Sequence, residues 1–167
     1  MKSVQSETSA TTWKPKVWIF QSNPKKYRIE ESLQTEPSEY WSLNQHAEEI
    51  HEGDRILIWL SGAHAGIYAL GTVVSEPVWQ SDSPTGIDHW RDGAEGKKLK
   101  PRVLVRYDSV FLDSPLDKAL LQLDSVLSNM RIMRFAQGTN FPVTETEWQA
   151  IKVRLHSISG VSASVTE

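Results

Sequence analysis

The stretch GDRILIWLSGAHAGIYALGTVV, residues 53–74, decides the fold. Arg55–Leu60 is almost wholly apolar, the pattern of a strand buried on both faces. Ile67–Val74 is a second strand, and the glycines of SGAHAG between the two permit a tight reversal. Upstream, KVWIFQ (16–21) is dense in β-branched and aromatic residues and reads as a strand ending at Ser22-Asn23-Pro24. Downstream, Arg102–Leu112 reads as a further strand, and Tyr40–Leu43 as a short extended piece. Residues 76–98 read as a long loop with Pro, Gly and Asp, and a loop of that length in a compact domain is more often functional than idle.

Helical signals lie around these strands. Asn23 suits an N-cap and Pro24 a first helical position, which predicts a helix to about Leu33. His46–Ile50 suggests one turn of helix. Ser114 and Pro115 open a predicted helix to about Leu127, with Leu116, Leu120, Leu123 and Leu127 at helical spacing. Phe135–Phe141 reads as a turn or short strand. The best-signalled element is the last: Thr144-Glu145-Thr146-Glu147 is a capping box, with Val143 and Trp148 at the hydrophobic-staple positions. Trp148, Ile151 and Leu155 then give that helix an apolar face. The sum is one α+β domain over residues 14–156, its strands curled into a small mixed barrel flanked by helices. Residues 1–13 and 157–167, rich in Ser and Thr, read as disordered tails.

At 167 residues the chain can bury a sizeable core, and without cysteine it has no disulfide, thiolate metal site or thiol chemistry. Its longest apolar run, Ile56–Leu60, is far below membrane-spanning length, and MKSVQSETSATT has no apolar signal region, so a cytoplasmic monomer is expected. The net charge of −3 argues against a protein that holds a long duplex mainly through phosphates. One basic stretch has no acidic residue within it: Lys97, Lys98, Lys100, Arg102 and Arg106. It reads either as a set of phosphate contacts or as a solvated strand edge.

The five histidines (His46, His51, His64, His89, His156) are scattered, so no metal site is expected, nor any cofactor. No nucleophile elbow, Walker loop or dinucleotide fingerprint appears. Asp82, Asp88, His89 and Asp92 share the long loop, where turn formation explains them better than acid–base chemistry. The unusual feature is tryptophan, seven in all: Trp13, Trp18, Trp41, Trp59, Trp79, Trp90 and Trp148. Packing accounts for Trp148, Trp18 and Trp59 on apolar elements. Trp41, Trp79 and Trp90 lie in polar, irregular surroundings, and two tryptophans on facing loops can sandwich a flat ring.

The stretches WIFQSNPKKY (18–27), EYWSLNQHAEEIHEGDRILIWLSGAHAGIYALGTVVSEP (39–77) and RFAQGTNFPVTETEW (134–148) together resemble the EVE domain, over about residues 15–155. EVE domains belong to the PUA-like group and are related to the YTH readers of N6-methyladenine. The resemblance implies a non-enzymatic reader of a modified base in an aromatic cage. The base would be a modified cytosine or adenine in DNA ahead of RNA, with a restriction or modification enzyme as a possible partner protein. By the YTH pattern, Gln21-Ser22-Asn23 matches the tripeptide after the first strand, and Gln21 stands where several YTH relatives carry lysine. Trp41-Ser42 matches the step after the first helix. The second cage tryptophan would lie in the long loop, with Trp90 preferred and Trp79 the alternative. Ser22, Asn23, Trp41, Ser42 and Trp90 are thus the expected base contacts. Gln137, Gly138 and Thr139 either close the pocket or form a turn before the last helix. Competing readings are an RNA-binding PUA-like module, a small amidohydrolase acting on a modified nucleoside, and a protein-interaction module anchored by tryptophans.

Overall fold

A computed structural model describes residues 14–158. Its strands are β1 (Val17–Ser22), β2 (Ser38–Ser42), β3 (Arg55–Leu60), β4 (Gly66–Val73), β5 (Val78–Gln80), β6 (Lys100–Val110), β7 (Leu116–Asp117) and β8 (Asn140–Val143). The helices are α1 (Ile29–Thr35), α2 (Pro84–His89), α3 (Gly93–Lys97), α4 (Lys118–Leu121), α5 (Arg131–Arg134) and α6 (Glu145–Leu155), with a 3-10 turn at Leu127–Asn129. None of the described helices is long and apolar enough to cross a membrane.

The strands form one mixed sheet in the order β2-β6-β4-β3-β1-β8, with β5 added to β6 and β7 to β4. The β1–β3 pair is parallel, running from Val17 opposite Arg55 to Ser22 opposite Leu60. As the apolar run predicts, β3 is buried on both faces. Leu57 and Trp59 join one cluster with Val17, Ile19, Trp148, Ile151 and Leu155. Ile56, Ile58 and Leu60 join another with Trp18, Phe20, Trp41, Val103 and Val105. Asp54, just before β3, is buried and accepts hydrogen bonds from Trp18 Nε1 (2.9 Å), Lys16 N (3.0 Å) and His51 N (3.0 Å).

The sheet curls into a half-barrel, and its edge strands β2 and β8 are joined by side chains in place of a backbone ladder. Asn140, 2% exposed, donates from Nδ2 to Ser42 O and accepts at Oδ1 from Asn44 N and Gln45 N. Gln45 Oε1 accepts in return from Thr139 N and Asn140 N. The barrel is therefore open along one seam, and amide side chains hold the seam together.

Several local expectations are corrected. The first helix begins at Ile29, not Pro24: Asn23 O accepts from Lys26 N and Tyr27 N and Asn23 Oδ1 from Lys25 N, so residues 23–27 form a turn, and Asn23 caps no helix. His46–Ile50 is a turn with His46 at φ 59°, not helix. Residues 76–98 hold β5, α2 and α3; Ser83 Oγ accepts from Gly86 N and Asp92 Oδ1 from Ala94 N, capping the two helices. The helix expected over 115–127 is one turn. Leu116 pairs with Ile67 in β7, Asp124 Oδ1 takes the amides of Val126 and Leu127, and Leu120 and Leu123 are exposed, so the leucines do not share a face. Of the expected tails, residues 1–13 and 159–167 lie outside the described residues, while Ile158 packs against the first cluster.

Helix α6 carries its capping box, with Thr144 Oγ1 accepting from Glu147 N and Glu147 Oε1 from Thr144 N. Trp148 is buried beneath it, with the Arg55 and Lys152 cations over its ring at 5.7 and 5.6 Å. Trp148→Ala is expected to cost about 3–5 kcal/mol, and Thr144→Ala about 1 kcal/mol. Urea unfolding of the two variants checks both values; equal losses would contradict the packing role given to Trp148.

Candidate functional site

A cavity of about 790 Å³ opens where β1 and β2 end, beside the start of β6. Its walls come from six separate pieces of chain: residues 21–27, residues 39–44, Ser61, the helical segment from Asp82 to Glu95, Lys100 and Arg102 of β6, and residues 136–139. That volume lies within the roughly 300–1,000 Å³ range of small-molecule sites. Among the expected base contacts, Ser22, Asn23, Trp41, Ser42, Trp90, Gln137, Gly138 and Thr139 all line it. Trp79 does not. It sits on β5, 66% exposed, opposite Pro101. Between the two tryptophans left open by the sequence, the cavity takes Trp90.

Both cavity tryptophans spend their N–H groups inside the protein. Trp41 Nε1 donates to Tyr107 OH at 2.9 Å, and Trp90 Nε1 donates to Asp82 Oδ2 at 2.9 Å. What they offer a ligand is ring surface, the group suited to stacking. Trp41 packs on Phe20, with ring centroids 5.8 Å apart; Trp90 meets Tyr27 edge-on at 5.0 Å. A backbone bridge between Tyr27 and Trp90, with Arg28 N donating to His89 O and Arg91 N to Lys26 O, fixes the helical segment against the turn after β1. Gly96 allows the indole to lie where it does, since a Cβ there would stand 2.6 Å from Trp90 Cδ1.

Two buried carboxylates, absent from the residues read as contacts, tie these walls together. Glu39 of β2 accepts from Tyr27 OH and, at 2.8 Å, from Tyr107 OH. The chain Trp41–Tyr107–Glu39–Tyr27 thus links one tryptophan to the ring against which the other packs. Asp82 takes Trp90 Nε1 and Ser83 N, and lies 3.9 Å from Arg102 Nη1. Burial pushes the Glu39 carboxyl up from its ordinary 4.5, opposed by hydrogen bonds from Tyr27, Ser32 and Tyr107. Burial likewise raises Asp82 against the pull of Trp90, Ser83 and Arg102. Tyr27 and Tyr107 are raised by burial and by Glu39, so both remain hydroxyl donors at neutral pH.

The basic stretch divides. Lys100 and Arg102 line the cavity, whereas Lys97 and Lys98 do not. The absence of acid within the stretch does not carry into space: Glu95 pairs with Lys98 Nζ at 2.9 Å and Lys100 Nζ at 3.6 Å. Arg102 is no surface cation. It is 1% exposed and donates to Gln80 O, Ser42 Oγ and Lys98 O, each at 3.0 Å, which leaves it a structural part of the wall. Gln21, at the lysine position of the YTH pattern, donates from Nε2 to Ala136 O and Gly138 O, so it fastens the 136–139 turn. That turn both lines the cavity and leads into β8, so the two roles considered for Gln137, Gly138 and Thr139 coincide. Of the loop group Asp82, Asp88, His89 and Asp92, only Asp82 and Asp92 reach the cavity; His89 is buried, its Nδ1 donating to Thr85 O. Among the described residues no group of three His, Cys, Asp or Glu is placed to hold a metal ion.

A carboxyl raised on folding contributes stability that is full below its unfolded value and is lost as pH rises through its folded value. Gln at position 39 does not titrate. The unfolding free energy of the wild type is therefore expected to fall relative to that of Glu39→Gln as pH rises from the ordinary 4.5 of the carboxyl toward neutrality. Urea titrations of both proteins across that range check it, and a difference that stays flat or grows would contradict the buried carboxyl.

The EVE domain family matches residues 16–153. Among solved structures, a hypothetical protein from Leishmania major is similar at TM-score 0.62 and 20% identity, over 86% of this chain and 96% of its own. Protein Atu2648 from Agrobacterium tumefaciens follows at TM-score 0.61 and 20% identity, over 87% and 95%. Human THYN1 protein, solved in complex with 5-methylcytosine containing DNA, is similar at TM-score 0.59 and 17% identity, over 91% and 99%. No curated protein matches the chain in sequence. At these identities the structural likeness is one of fold, and it agrees with the curled PUA-like α+β architecture. By the family match over 16–153, the chain belongs to the EVE domain family.

Proposed function

We propose that this protein is a reader that holds a modified nucleobase of DNA in the cavity between Trp41 and Trp90, without transforming it. The observation that carries the proposal is the meeting of Trp41 and Trp90 on one cavity with their indole N–H groups already satisfied. Ring faces left as the free chemistry of two walls suit a flat, uncharged ligand. Stacking a base on such a wall is worth about 1–3 kcal/mol, and a buried methyl adds roughly 0.8 kcal/mol.

A base inside a duplex cannot enter a cavity lined on several sides, so the ligand is a flipped-out or single-stranded nucleotide. The polar lining favours a base with an exocyclic amine, cytosine or adenine: Glu39 and Asp82 put acceptor oxygens at the cavity, and such oxygens accept from that amine, which thymine lacks. The human THYN1 protein, of the same fold, was solved with 5-methylcytosine containing DNA, which supports the same class of ligand here. Against an amidohydrolase, no histidine among the described residues lines the cavity beside Ser22, Ser42 or Thr139 to activate a hydroxyl.

Calorimetric titration with a panel of modified nucleosides, paired with melting curves, tests the proposal. Trp90→Ala is expected to weaken binding by about 1–3 kcal/mol. Trp41→Ala is expected to do the same and also to lower the melting temperature, since Trp41 is buried on Phe20; Trp41→Phe should recover the fold and part of the binding. Trp79→Ala, outside the cavity, should bind as wild type. Equal binding by Trp90→Ala and wild type would remove the cage, and turnover of an acylated cytidine would replace the reader by an enzyme.

A further inference from the structure

We infer that Lys25, Lys26 and Arg91 form a clamp for the phosphate backbone of the DNA strand whose base enters the cavity, an inference that rests on the base-reading role just proposed. Lys25 and Lys26 are adjacent and Arg91 lies far along the chain, yet all three are exposed and all line the same cavity. Hydrogen bonds hold them as a unit: Arg91 N donates to Lys26 O at 2.9 Å, and Arg91 Nε donates to Pro24 O at 3.0 Å. With Nε engaged, the guanidinium is anchored at its base and keeps its two terminal nitrogens for a ligand. That is the pre-organised, planar donor geometry that suits a phosphate.

The remaining cations around the cavity are already neutralised. Glu95 holds Lys98 and Lys100, and Arg102 is buried against Asp82, Ser42 and two carbonyls. Further along β6, Arg106 pairs with Asp108 at 2.9 Å. Lys25, Lys26 and Arg91 have no ion pair to an acid among the described residues. The nearest acid in sequence is Asp92, which also lines the cavity; its Oδ1 accepts from Ala94 N. The turn after β1 therefore presents positive charge beside Trp90, where the phosphates flanking a flipped base must pass.

Binding of a short DNA oligonucleotide carrying one 5-methylcytosine, and of free 5-methyl-2′-deoxycytidine, would be measured against salt for four proteins. These are the wild type, Lys25→Gln/Lys26→Gln, that pair with Arg91→Gln, and Lys97→Gln/Lys98→Gln, each with its melting curve. For the triple variant the slope of log affinity against log salt is expected to shrink by about 2 to 3 units, and for the Lys25/Lys26 pair by somewhat under 2. Nucleoside affinity should not change in either, and the Lys97/Lys98 variant should bind like wild type. The clamp is overturned if the slope is unchanged in the triple variant, if the Lys97/Lys98 variant takes the loss instead, or if wild type binds the oligonucleotide no better than the nucleoside. A triple variant that melts early leaves the decision to the double variant, which keeps the Arg91 anchor. If the slope depends on Lys25, Lys26 and Arg91 but methylated and plain oligonucleotides bind alike, the clamp stands and the base-reading role falls. Tighter, equally salt-dependent binding of the matching RNA would overturn DNA as the partner.

Discussion

Arg102 sits with its whole side chain inside the protein, and a buried guanidinium is tolerated only when its hydrogens and its charge are met. Its partners come from four places: a carbonyl of β5, a carbonyl just after α3, the Ser42 hydroxyl at the end of β2, and the Asp82 carboxylate before α2. Strand register repeats the arrangement, since Arg102 pairs with Ser42 on one side and Val78 on the other. The segment that carries Trp90 is thus wrapped around a charge it must satisfy. Asp82 serves twice, facing Arg102 and accepting from the Trp90 indole, so the electrostatic anchor and the aromatic wall share one carboxylate.

The cavity exists because the sheet does not close. A full ladder between β2 and β8 would have brought their backbones to about 5 Å and filled the space. Asn140 and Gln45 reach across with side-chain amides, which hold the edges together while leaving room beside Ser42 and Thr139. The turn at Gly138, with φ +123°, directs its carbonyl to Gln21 and so fixes one lip of the opening to β1. Rigid strands thereby position a site whose walls are mostly loops.

How much of this was legible in the sequence depended on how local each cause is. The apolar run of β3 and the Thr144–Glu147 capping box are causes contained within a few residues, and both stand as read. The leucines from 116 to 127 mislead because their helical spacing serves three different elements, with Asp124 capping a fresh turn in the middle. Helices α2 and α3 carry local signals too: Ser83-Pro84 and Asp92 are cap residues inside a stretch that Pro, Gly and Asp make read as a plain loop. The surroundings of Trp41, Trp79 and Trp90 mark all three as candidates for a shared site, and the family resemblance is what prefers Trp41 with Trp90. Glu39, Tyr107 and the buried state of Arg102 had no local sign, because their partners lie far along the chain. The pairing of Arg91 with the Lys25-Lys26 turn has no local sign for the same reason, whereas within the conspicuous basic run at 97–102 Lys98, Lys100 and Arg102 face Glu95 and Asp82.

The empty position at Gly96 has a consequence for how such a pocket diversifies. Its missing methyl is the clearance in which the Trp90 indole rests, and a Cβ there would also stand 3.2 Å from Ile87 Cα. On the proposed reading, a side chain at 96 would act as a shim behind a cage wall, shifting Trp90 without replacing it. Slot width would then be inherited separately from hydrogen-bonding pattern, and a lineage could retune the bulk of the base it accepts through a residue that does not line the cavity.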